Sequence, residues 1–251
     1  MKFDDLDVKM RAYEKSLDQV IVPGMYILAR IDGRSFTRLT KEVCKFEAPF
    51  DVRFRDLMVD TVKHLMKESG LNIVYGYTES DEISLLFEYD TIDFGRKVRK
   101  LNTILAGEAS AFFSMKLGTV ACFDCRIIPL PNTDLLRDYF SWRMEDAHRN
   151  SLNSWCYWTL RKEGIKGRKA QSMISGLSVA DKNELLFQHG TNYNNLPAWQ
   201  KRGVSVYWKE YEKNGWNPIK QVEVVTKRRD LFVDFDIPEF TIPSGIPYVE
   251  R

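Results

Sequence analysis

Six apolar segments between residues 20 and 130 constrain the fold of this chain more than any other feature, because their periodicities follow a fixed order. Residues 25–31 (MYILARI) form an apolar run, which predicts a buried strand that stops at a turn at Asp32 and Gly33. Between residues 50 and 69, apolar side chains recur at the spacing of one helical face, and a glycine follows as a stop signal. The first strand is therefore predicted to lead into a helix.

Two β-rich segments, NIVYGYT and EISLLFE, come next and are separated by a polar turn at residues 79–81, which is typical of a hairpin. Asp93 is suited to cap a second helix, whose buried face is predicted to begin at Phe94. A last strand over residues 120–128 completes the set. The sequence thus predicts an α+β fold with the ferredoxin-like order β-α-β-β-α-β, an arrangement that proteins of many unrelated functions share.

The composition changes after the last of these strands. A long, aromatic-rich amphipathic helix is predicted from about residue 133 to 163, followed by shorter helices and a hairpin that turns around Asn214 and Gly215. The tail after Asp236 holds three prolines and shows no period. We therefore expect a first domain over residues 1–130 and a second part, with helices and a hairpin packed on it, over residues 131–251.

The net charge of +2 is too small to attract a nucleic acid by bulk electrostatics. A polyanion would have to be met by local clusters of cations, although a single charged run is more often a solvated face. The sequence contains three such clusters, at Arg96, Lys97, Arg99 and Lys100, at residues 161–169, and at residues 227–229.

The cysteines do not predict a zinc site. Cys122 and Cys125 form a CxxC, but no second pair completes four ligands, and residues three apart on a strand point to opposite faces. We interpret the four cysteines as reduced residues of a cytoplasmic protein. The first residues lack a basic stretch followed by an apolar core, so neither export nor membrane insertion is indicated.

Carboxylates are expected to converge at one edge of the sheet. In the ferredoxin-like order the first and third strands are neighbours, so Asp32 should lie near the turn that carries Asp81 and Glu82. Acids held this close repel each other, and hard divalent cations relieve the repulsion. These three residues are therefore candidates for catalysis with two Mg²⁺ ions that activate an attacking hydroxyl and stabilise a leaving pyrophosphate. The alternative is a turn aspartate beside a solvent-exposed hairpin.

The residues after Asp32 are suited to a triphosphate. Gly33, Arg34 and Ser35 offer backbone N–H groups, a guanidinium and a hydroxyl. No G-x-x-x-x-G-K-[ST] motif occurs, which argues against a Walker-type nucleotidase.

Several blocks of the sequence resemble one enzyme family in the same order along the chain. These blocks are ARIDGRSFTRL, YGYTESDEISLLF, SWRMEDAHRNSLNSWCYWTL, VADKNELLF and NYNNLP, and they span roughly residues 25 to 210. They are similar to the signature blocks of tRNA(His) guanylyltransferases and of their bacterial and archaeal relatives. The resemblance implies a polymerase-palm-type domain, two Mg²⁺ ions, and ATP or GTP that activates a 5′-monophosphorylated tRNA for attack by the 3′-hydroxyl of an incoming nucleotide. It also implies a homotetramer built from two dimers.

The resemblance assigns roles by position. Asp32, the Gly33 carbonyl and Asp81 would bind metal, with Glu82 in support. The bound triphosphate would be lined by Asp32, Gly33, Arg34, Ser35, Phe36, Thr37, Ser80 and Asp81. Candidates for contact with the tRNA or its activated end are Lys41, Lys45, Arg96, Lys97, Lys100, His148, Lys182, Asn183 and Asn194.

The sequence departs from the eukaryotic members of the family at three places. Eukaryotic members usually have His at the position of Thr37, Lys-Pro-Asn-Asp at residues 48–51, and His-Ile-Asn-Asn-Leu-Tyr-Asn at residues 148–154, where this chain reads HRNSLNS. The differences resemble those of bacterial and archaeal relatives that repair 5′-truncated tRNAs on a template. We therefore expect a templated 3′-to-5′ polymerase with residual guanylyltransferase activity.

Two other functions share this element order. A palm-type nucleotide cyclase would use the same metal site but would leave the blocks after residue 130 unexplained. A non-catalytic RNA-binding module of the RRM type would stack bases on Tyr75, Tyr77 or Phe87, and its RNA affinity would not depend on metal.

Overall fold

The computed structural model describes residues 2–217 and 221–238. The strands are β1 (Tyr26–Arg34), β2 (Ile73–Glu79), β3 (Glu82–Phe87), β4 (Cys122–Leu130), β5 (Val204–Asn217) and β6 (Val222–Asp234). The helices are α1 (Phe3–Glu14), α2 (Phe36–Arg38), α3 (Val52–Lys67), α4 (Val98–Leu117), α5 (Thr133–Lys162), α6 (Gly167–Ile174), α7 (Val179–Gln188) and α8 (Ala198–Arg202). A π-helical turn (Leu39–Val43) follows α2, and 3-10 turns occupy Asp93–Arg96 and Tyr193–Asn195.

The described strands form one antiparallel sheet in the order β4-β1-β3-β2-β5-β6. The first four strands with α3 and α4 give the predicted β-α-β-β-α-β order, and β1 and β3 are neighbours, as that order requires. The α+β fold class is therefore confirmed. The C-terminal hairpin extends the same sheet, because Tyr207 of β5 pairs with Tyr75 of β2. Residues on both sides of the boundary predicted at residue 130 therefore contribute strands to one sheet.

Each face of the sheet is covered by different helices. On one face α3 and α4 bury Val62, Leu65 and Leu105 against Ile31 and Leu85. On the other face the first half of α5 packs aromatic residues against the sheet, and Phe140 lies edge-on to Tyr75 with ring centroids 5.1 Å apart. Burial of apolar side chains on both faces drives the assembly of the two layers of helices around the sheet.

The second half of α5 extends past the sheet and builds a separate apolar cluster with α6 and α7. Cys156 of α5 is fully buried in this cluster, and its thiol donates to the Lys182 carbonyl at 3.5 Å. Along the stretches of chain that the structure describes, no helix is both long enough and apolar enough to cross a membrane. All four cysteines are free. The proline-rich tail beyond residue 238 lies outside the described residues.

Three predicted boundaries were wrong. β1 does not stop at Asp32, because Asp32 pairs with both Glu82 and Asp124 and keeps the strand extended as far as Arg34. The C-terminal hairpin does not turn at Asn214 and Gly215, which lie within β5 opposite β6.

The start of the second helix was also wrong. Asp93 does not cap it, because its carboxylate accepts hydrogen bonds from the backbone and side-chain nitrogens of Asn72, each at 2.8 Å. Phe94 and Gly95 have left-handed backbone angles, and the Phe94 side chain is exposed. The α-helix therefore begins only at Val98.

Candidate active site

The pairing of β1 with β3 places two aspartates together at one edge of the sheet. Asp32 lies opposite Glu82, and the next residue, Gly33, donates its backbone N–H to the Asp81 carbonyl at 3.0 Å. Ser80 occupies the turn with a positive φ of 49°, and its hydroxyl donates to Asp81 Oδ1 at 3.0 Å. The convergence of Asp32 and Asp81 that the sequence predicted is therefore present.

Gly33 is required for this close approach. A Cβ atom at this position would lie 2.5 Å from Phe36 Cδ2 and 2.9 Å from Asp81 Cβ. The Phe36 ring cannot move aside easily, because it is buried against Phe113 and Phe123 with ring centroids 5.4 and 4.8 Å away. The glycine thus allows the β2–β3 turn to approach β1.

The electrostatics of the aspartate pair favour a cation. Burial raises the pKa of Asp81, and the neighbouring Asp32 carboxylate adds to the rise. Within the described residues neither aspartate forms an ion pair with a lysine or arginine. Two carboxylates and a backbone carbonyl are the oxygen ligands that hard divalent cations prefer. The described side chains contain no cluster of three or more potential metal ligands, so the Gly33 carbonyl would be needed beside the two aspartates.

Glu82 differs from the two aspartates because it is already paired. Arg143 of α5 donates from Nε to Glu82 Oε1 at 2.6 Å and from Nη2 to Glu82 Oε2 at 2.8 Å. Arg30 Nε lies 3.8 Å from the same carboxylate. The Glu82 carboxylate is thus held and balanced by α5.

Sequence reasoning missed three members of this network, Arg143, Glu79 and Asp146. Arg143 Nη2 also lies 3.4 Å from Glu79 and 3.0 Å from Asp146. Burial, together with the Glu82 carboxylate, raises the pKa of Glu79 to about 8. Arg143 lies in the SWRMED block that carried the resemblance, but nothing local in the sequence indicates that it pairs with β2 and β3.

A cavity of about 300 Å³ opens beside the aspartate pair. Its lining includes Phe36, Thr37, Ser80 and Asp81. Aromatic side chains supply another part of the wall, namely Phe46, Phe50, Phe54, Trp158 and Trp199. More than half of the lining residues are polar or charged, so the cavity offers both aromatic surface and hydrogen-bonding groups to a small ligand.

The predicted triphosphate residues divide into two groups. Phe36, Thr37, Ser80 and Asp81 line the cavity. The remaining ones, residues 32–35, are outside its lining but join it through the hydrogen bond between Gly33 and Asp81.

Some of the predicted tRNA contacts lie near the cavity. Lys41 lines it, with Nζ 5.4 Å from the centre of the Trp158 ring, whereas Lys45 is exposed and outside the lining. The His148 ring packs edge-on against the Tyr193 ring, with centroids 5.4 Å apart. Asn194 follows Tyr193 in the same 3-10 turn, so His148 and Asn194 lie in one region of the structure.

Lys182 and Asn183 lie further along the C-terminal part, on α7. The Lys182 carbonyl accepts the Cys156 thiol, and the Asn183 side-chain amide donates to the Val179 carbonyl at 2.9 Å within its own helix. Neither residue lines the cavity.

Arg96 does not support the predicted contact with RNA phosphate. It is buried and donates to backbone carbonyls that include those of Ile21, Thr91 and Met25, the last at 2.7 Å. Met25 precedes β1 and is seven residues from Asp32, which corresponds to ~23 Å along an extended strand. Arg96 therefore joins loops at the opposite end of the sheet.

Lys97 and Lys100 follow Arg96 at that same end. Lys97 Nζ pairs with Asp18 at 3.2 Å, and Lys100 is exposed on the first turn of α4. The structure does not bring these two lysines to the cavity.

The RNA-stacking role considered for Tyr75, Tyr77 and Phe87 is excluded by burial. Each of these side chains is only 1% exposed, beneath the helices that cover the sheet. An RRM-type module needs exposed aromatic residues on its sheet, so the structure argues against that function.

Comparison with known proteins gives consistent matches along the chain. The family model for tRNAHis guanylyltransferase (Thg1) matches residues 7–131, and the model for the Thg1 C terminal domain matches residues 134–232. A probable tRNA(His) guanylyltransferase of Drosophila melanogaster is 37% identical over 204 residues, which cover 76% of this chain and 71% of the relative.

Solved structures show the same similarity. The crystal structure of the Saccharomyces cerevisiae tRNA(His) guanylyltransferase has a TM-score of 0.71 and 28% identity, covering 85% of this chain and 94% of that chain. A bacterial Thg1-like protein, solved in complex with GTP and with ATP, has a TM-score of 0.70 and 27% identity, covering 94% of both chains.

Proposed function

Because this chain belongs to the tRNA(His) guanylyltransferase family, a family of nucleotidyltransferases, we propose that it adds nucleotides to the 5′ end of tRNA in the 3′-to-5′ direction. The observation that carries the proposal is the pair of aspartates, Asp32 and Asp81, because Asp81 lines a cavity of about 300 Å³ and, among the described residues, neither carboxylate has a lysine or arginine as an ion-pair partner. The complexes of the bacterial relative with GTP and ATP support nucleoside triphosphates as substrates.

The reaction that we propose has two displacements. First, a 5′-phosphate oxygen of the tRNA attacks the α-phosphorus of ATP or GTP, and pyrophosphate leaves. Second, the 3′-hydroxyl of the incoming nucleotide attacks the activated 5′ phosphorus, loses its proton, and displaces the nucleoside monophosphate. Both steps develop negative charge on phosphate oxygens, which a site for this chemistry must stabilise.

Residues in and beside the cavity would divide this work. Asp32, Asp81 and the Gly33 carbonyl would hold two Mg²⁺ ions, which supply Lewis acid chemistry when bound. The hydroxyls of Thr37 and Ser80 and the guanidinium of Arg34 would orient the triphosphate. Glu82 would support the site indirectly, because its own charge is balanced by a salt bridge with α5.

The templated form of the reaction is part of the proposal. Thr37 and residues 48–51, two of the three places where the chain departs from eukaryotic members, line the cavity. The third, residues 148–154, contributes Asn150, Ser151 and Ser154 to the same lining. Because all three departures surround one cavity, we propose that they favour repair of 5′-truncated tRNA over a single untemplated guanosine.

Three further parts of the proposal rest on the resemblance and on the cysteines. They are a division into residues 1–130 and 131–251, assembly as a dimer of dimers, and a location in the cytoplasm.

The test is 5′ extension of a 5′-monophosphorylated tRNA that lacks its first nucleotide, with Mg²⁺, ATP and GTP. We expect extension complementary to the 3′ strand, and loss of extension in Asp81→Ala. Asp90→Ala is the matched control, because Asp90 is exposed in a turn after β3. Addition of guanosine to intact tRNA(His) without extension of the truncated tRNA would contradict the templated form. Absence of both activities would overturn the proposed function.

A further inference from the structure

Three clusters of basic residues occur in the sequence, and the structure distinguishes them. In the first, Arg96 is buried, and Lys97 and Arg99 both pair with Asp18, at 3.2 and 3.1 Å. In the third, on β6, Lys227 lies opposite Glu212 and Arg229 lies opposite Glu210 across the hairpin. In the first cluster a single acid thus serves two cations, and in the third cluster acids lie opposite two of the three cations.

The second cluster is different, because its charge is concentrated and exposed. It lies where α5 ends and α6 begins, and we call it the basic corner. Residues 161–169 (RKEGIKGRK) carry five basic residues and one acid, a net charge of +4 against +2 for the whole chain. The five basic residues, Arg161, Lys162, Lys166, Arg168 and Lys169, are all exposed.

Little in the protein neutralises the basic corner. Its acid, Glu163, lies 3.4 Å from His189, and Arg161 donates to the Ile165 carbonyl at 3.3 Å. Within the part of the chain that the structure describes, the other four cations (Lys162, Lys166, Arg168 and Lys169) form no ion pair. A group of like charges without compensation repels itself, and a polyanion that binds across it relieves the repulsion.

The basic corner continues toward the candidate active site. Trp158 lines the cavity, and the Lys41 ammonium lies over its ring. Arg161 and Lys162 are three and four residues after Trp158 on α5. Residues at this spacing are neighbours on one face of a helix, so both cations lie on the same face as Trp158. A row of cations thus extends from the cavity, through Lys41, to the start of α6.

We propose that the basic corner binds the sugar–phosphate backbone of the RNA substrate and helps to direct its end into the cavity. The inference rests on the proposed function, because it assigns a docking surface to the same substrate. Contacts of this kind position a nucleic acid without reading its sequence, and they weaken as salt is added, because binding releases counterions.

The chemistry of the surface favours RNA over other polyanionic partners. From residue 159 to residue 172, all of which the structure describes, no large hydrophobic side chain is exposed. Membrane-surface helices insert apolar side chains beside their cations, and protein interfaces centre on buried aromatic or aliphatic residues. The basic corner has neither feature.

The test compares two triple variants that remove the same charge. One is Lys166→Gln/Arg168→Gln/Lys169→Gln in the basic corner, and the control is Lys227→Gln/Arg228→Gln/Arg229→Gln on β6. The dissociation constant for 5′-monophosphorylated tRNA is measured from 50 to 300 mM salt, and the Tm of each variant is checked. All six side chains are exposed, so both variants should fold.

We expect the corner variant to bind tRNA about tenfold or more weakly near physiological salt. The slope of log Kd against log salt should fall by about 2 to 3, since each lost phosphate contact removes about 0.7 to 0.9. The control should bind like the parent protein.

Several outcomes would overturn the inference. Equal slopes for the parent and the corner variant would show that the corner does not contact the backbone, and equal losses in both variants would indicate a general charge effect. Loss of binding to phosphatidylserine vesicles with unchanged tRNA binding would assign the surface to a membrane. In each of these cases the proposed function still holds if the parent protein extends tRNA. Failure of the docking inference can therefore be distinguished from failure of the proposed function.

Discussion

Arg143 holds Glu82 through two hydrogen bonds of 2.6 and 2.8 Å, and this salt bridge joins the long helix α5 to the strand that follows the aspartate turn. The two side chains are only 6% and 10% exposed. Because α5 belongs to the C-terminal part of the chain, the second part directly supports the position of the acids in the first.

Removal of Arg143 should destabilise the protein strongly. Arg143→Met would leave Glu82 buried without its partner, and the loss of one member of a buried ion pair typically costs about 3–5 kcal/mol. Adding Glu82→Gln should recover part of the loss, which a double-mutant cycle in urea measures. The control is Lys63→Met, because the Lys63–Asp60 pair is about half exposed to solvent and should contribute about 1 kcal/mol or less. A cost no larger than that of the control would contradict the role of the bridge.

A side chain at position 33 should destabilise the protein, whereas a side chain at Gly107 should not. In Gly33→Ala the new Cβ would press against Phe36 and Asp81, and overpacking of this kind costs about 1–3 kcal/mol and should displace the turn. Gly107→Ala is the control, because this glycine lies within α4 with open space around it. That change should stabilise the helix by about 0.5–1 kcal/mol. Thermal unfolding and tRNA extension measure both variants, and equal activity in the two would argue against the steric requirement.

The sequence predicted the element order and the convergence of Asp32 with Asp81, because both depend on local periodicity and on the neighbour rule for this fold. It did not predict that Arg96 is buried or that Arg143 pairs with Glu82, since a run of charged residues carries no information about contacts between residues far apart in sequence. The end of β1 was missed for a related reason. Pairing with β4 extends the strand through a dipeptide that would form a turn in isolation.

The Asp51 carboxyl should make the free energy of unfolding decrease at acidic pH. The Arg53 guanidinium, with the backbone N–H groups of Glu47 and Arg53, holds the pKa of the Asp51 carboxyl well below its usual value of 3.8. A depressed pKa stabilises the folded state above the unfolded value, and the stabilisation is lost as pH falls through the folded value.

Asp51→Asn should therefore cost about 1 kcal/mol at pH 7, in the range of a weakened helix N-cap. The difference from the parent protein should shrink as pH falls below about 4, because the Asp51 carboxylate of the unfolded parent then binds protons while that of the folded parent stays charged. Urea unfolding at pH 7 and pH 3 measures this, with Asp90→Asn as the exposed control. A cost that does not change with pH would show that the charge of Asp51 contributes nothing.

Substitution of either aspartate should weaken metal binding, whereas substitution of the neighbouring Glu82 should not. Asp32→Asn and Asp81→Asn should each weaken Mn²⁺ binding at least about tenfold, the lower end of the range seen when groups around a metal are changed. Glu82→Gln should leave the affinity within a few-fold of the parent protein, because its carboxylate is engaged by Arg143 rather than free to bind a cation. Calorimetric titration of each variant measures the affinity without reference to activity. A loss in Glu82→Gln as large as in the aspartate variants would show that Glu82 binds the metal directly and that the salt bridge opens when the ion arrives.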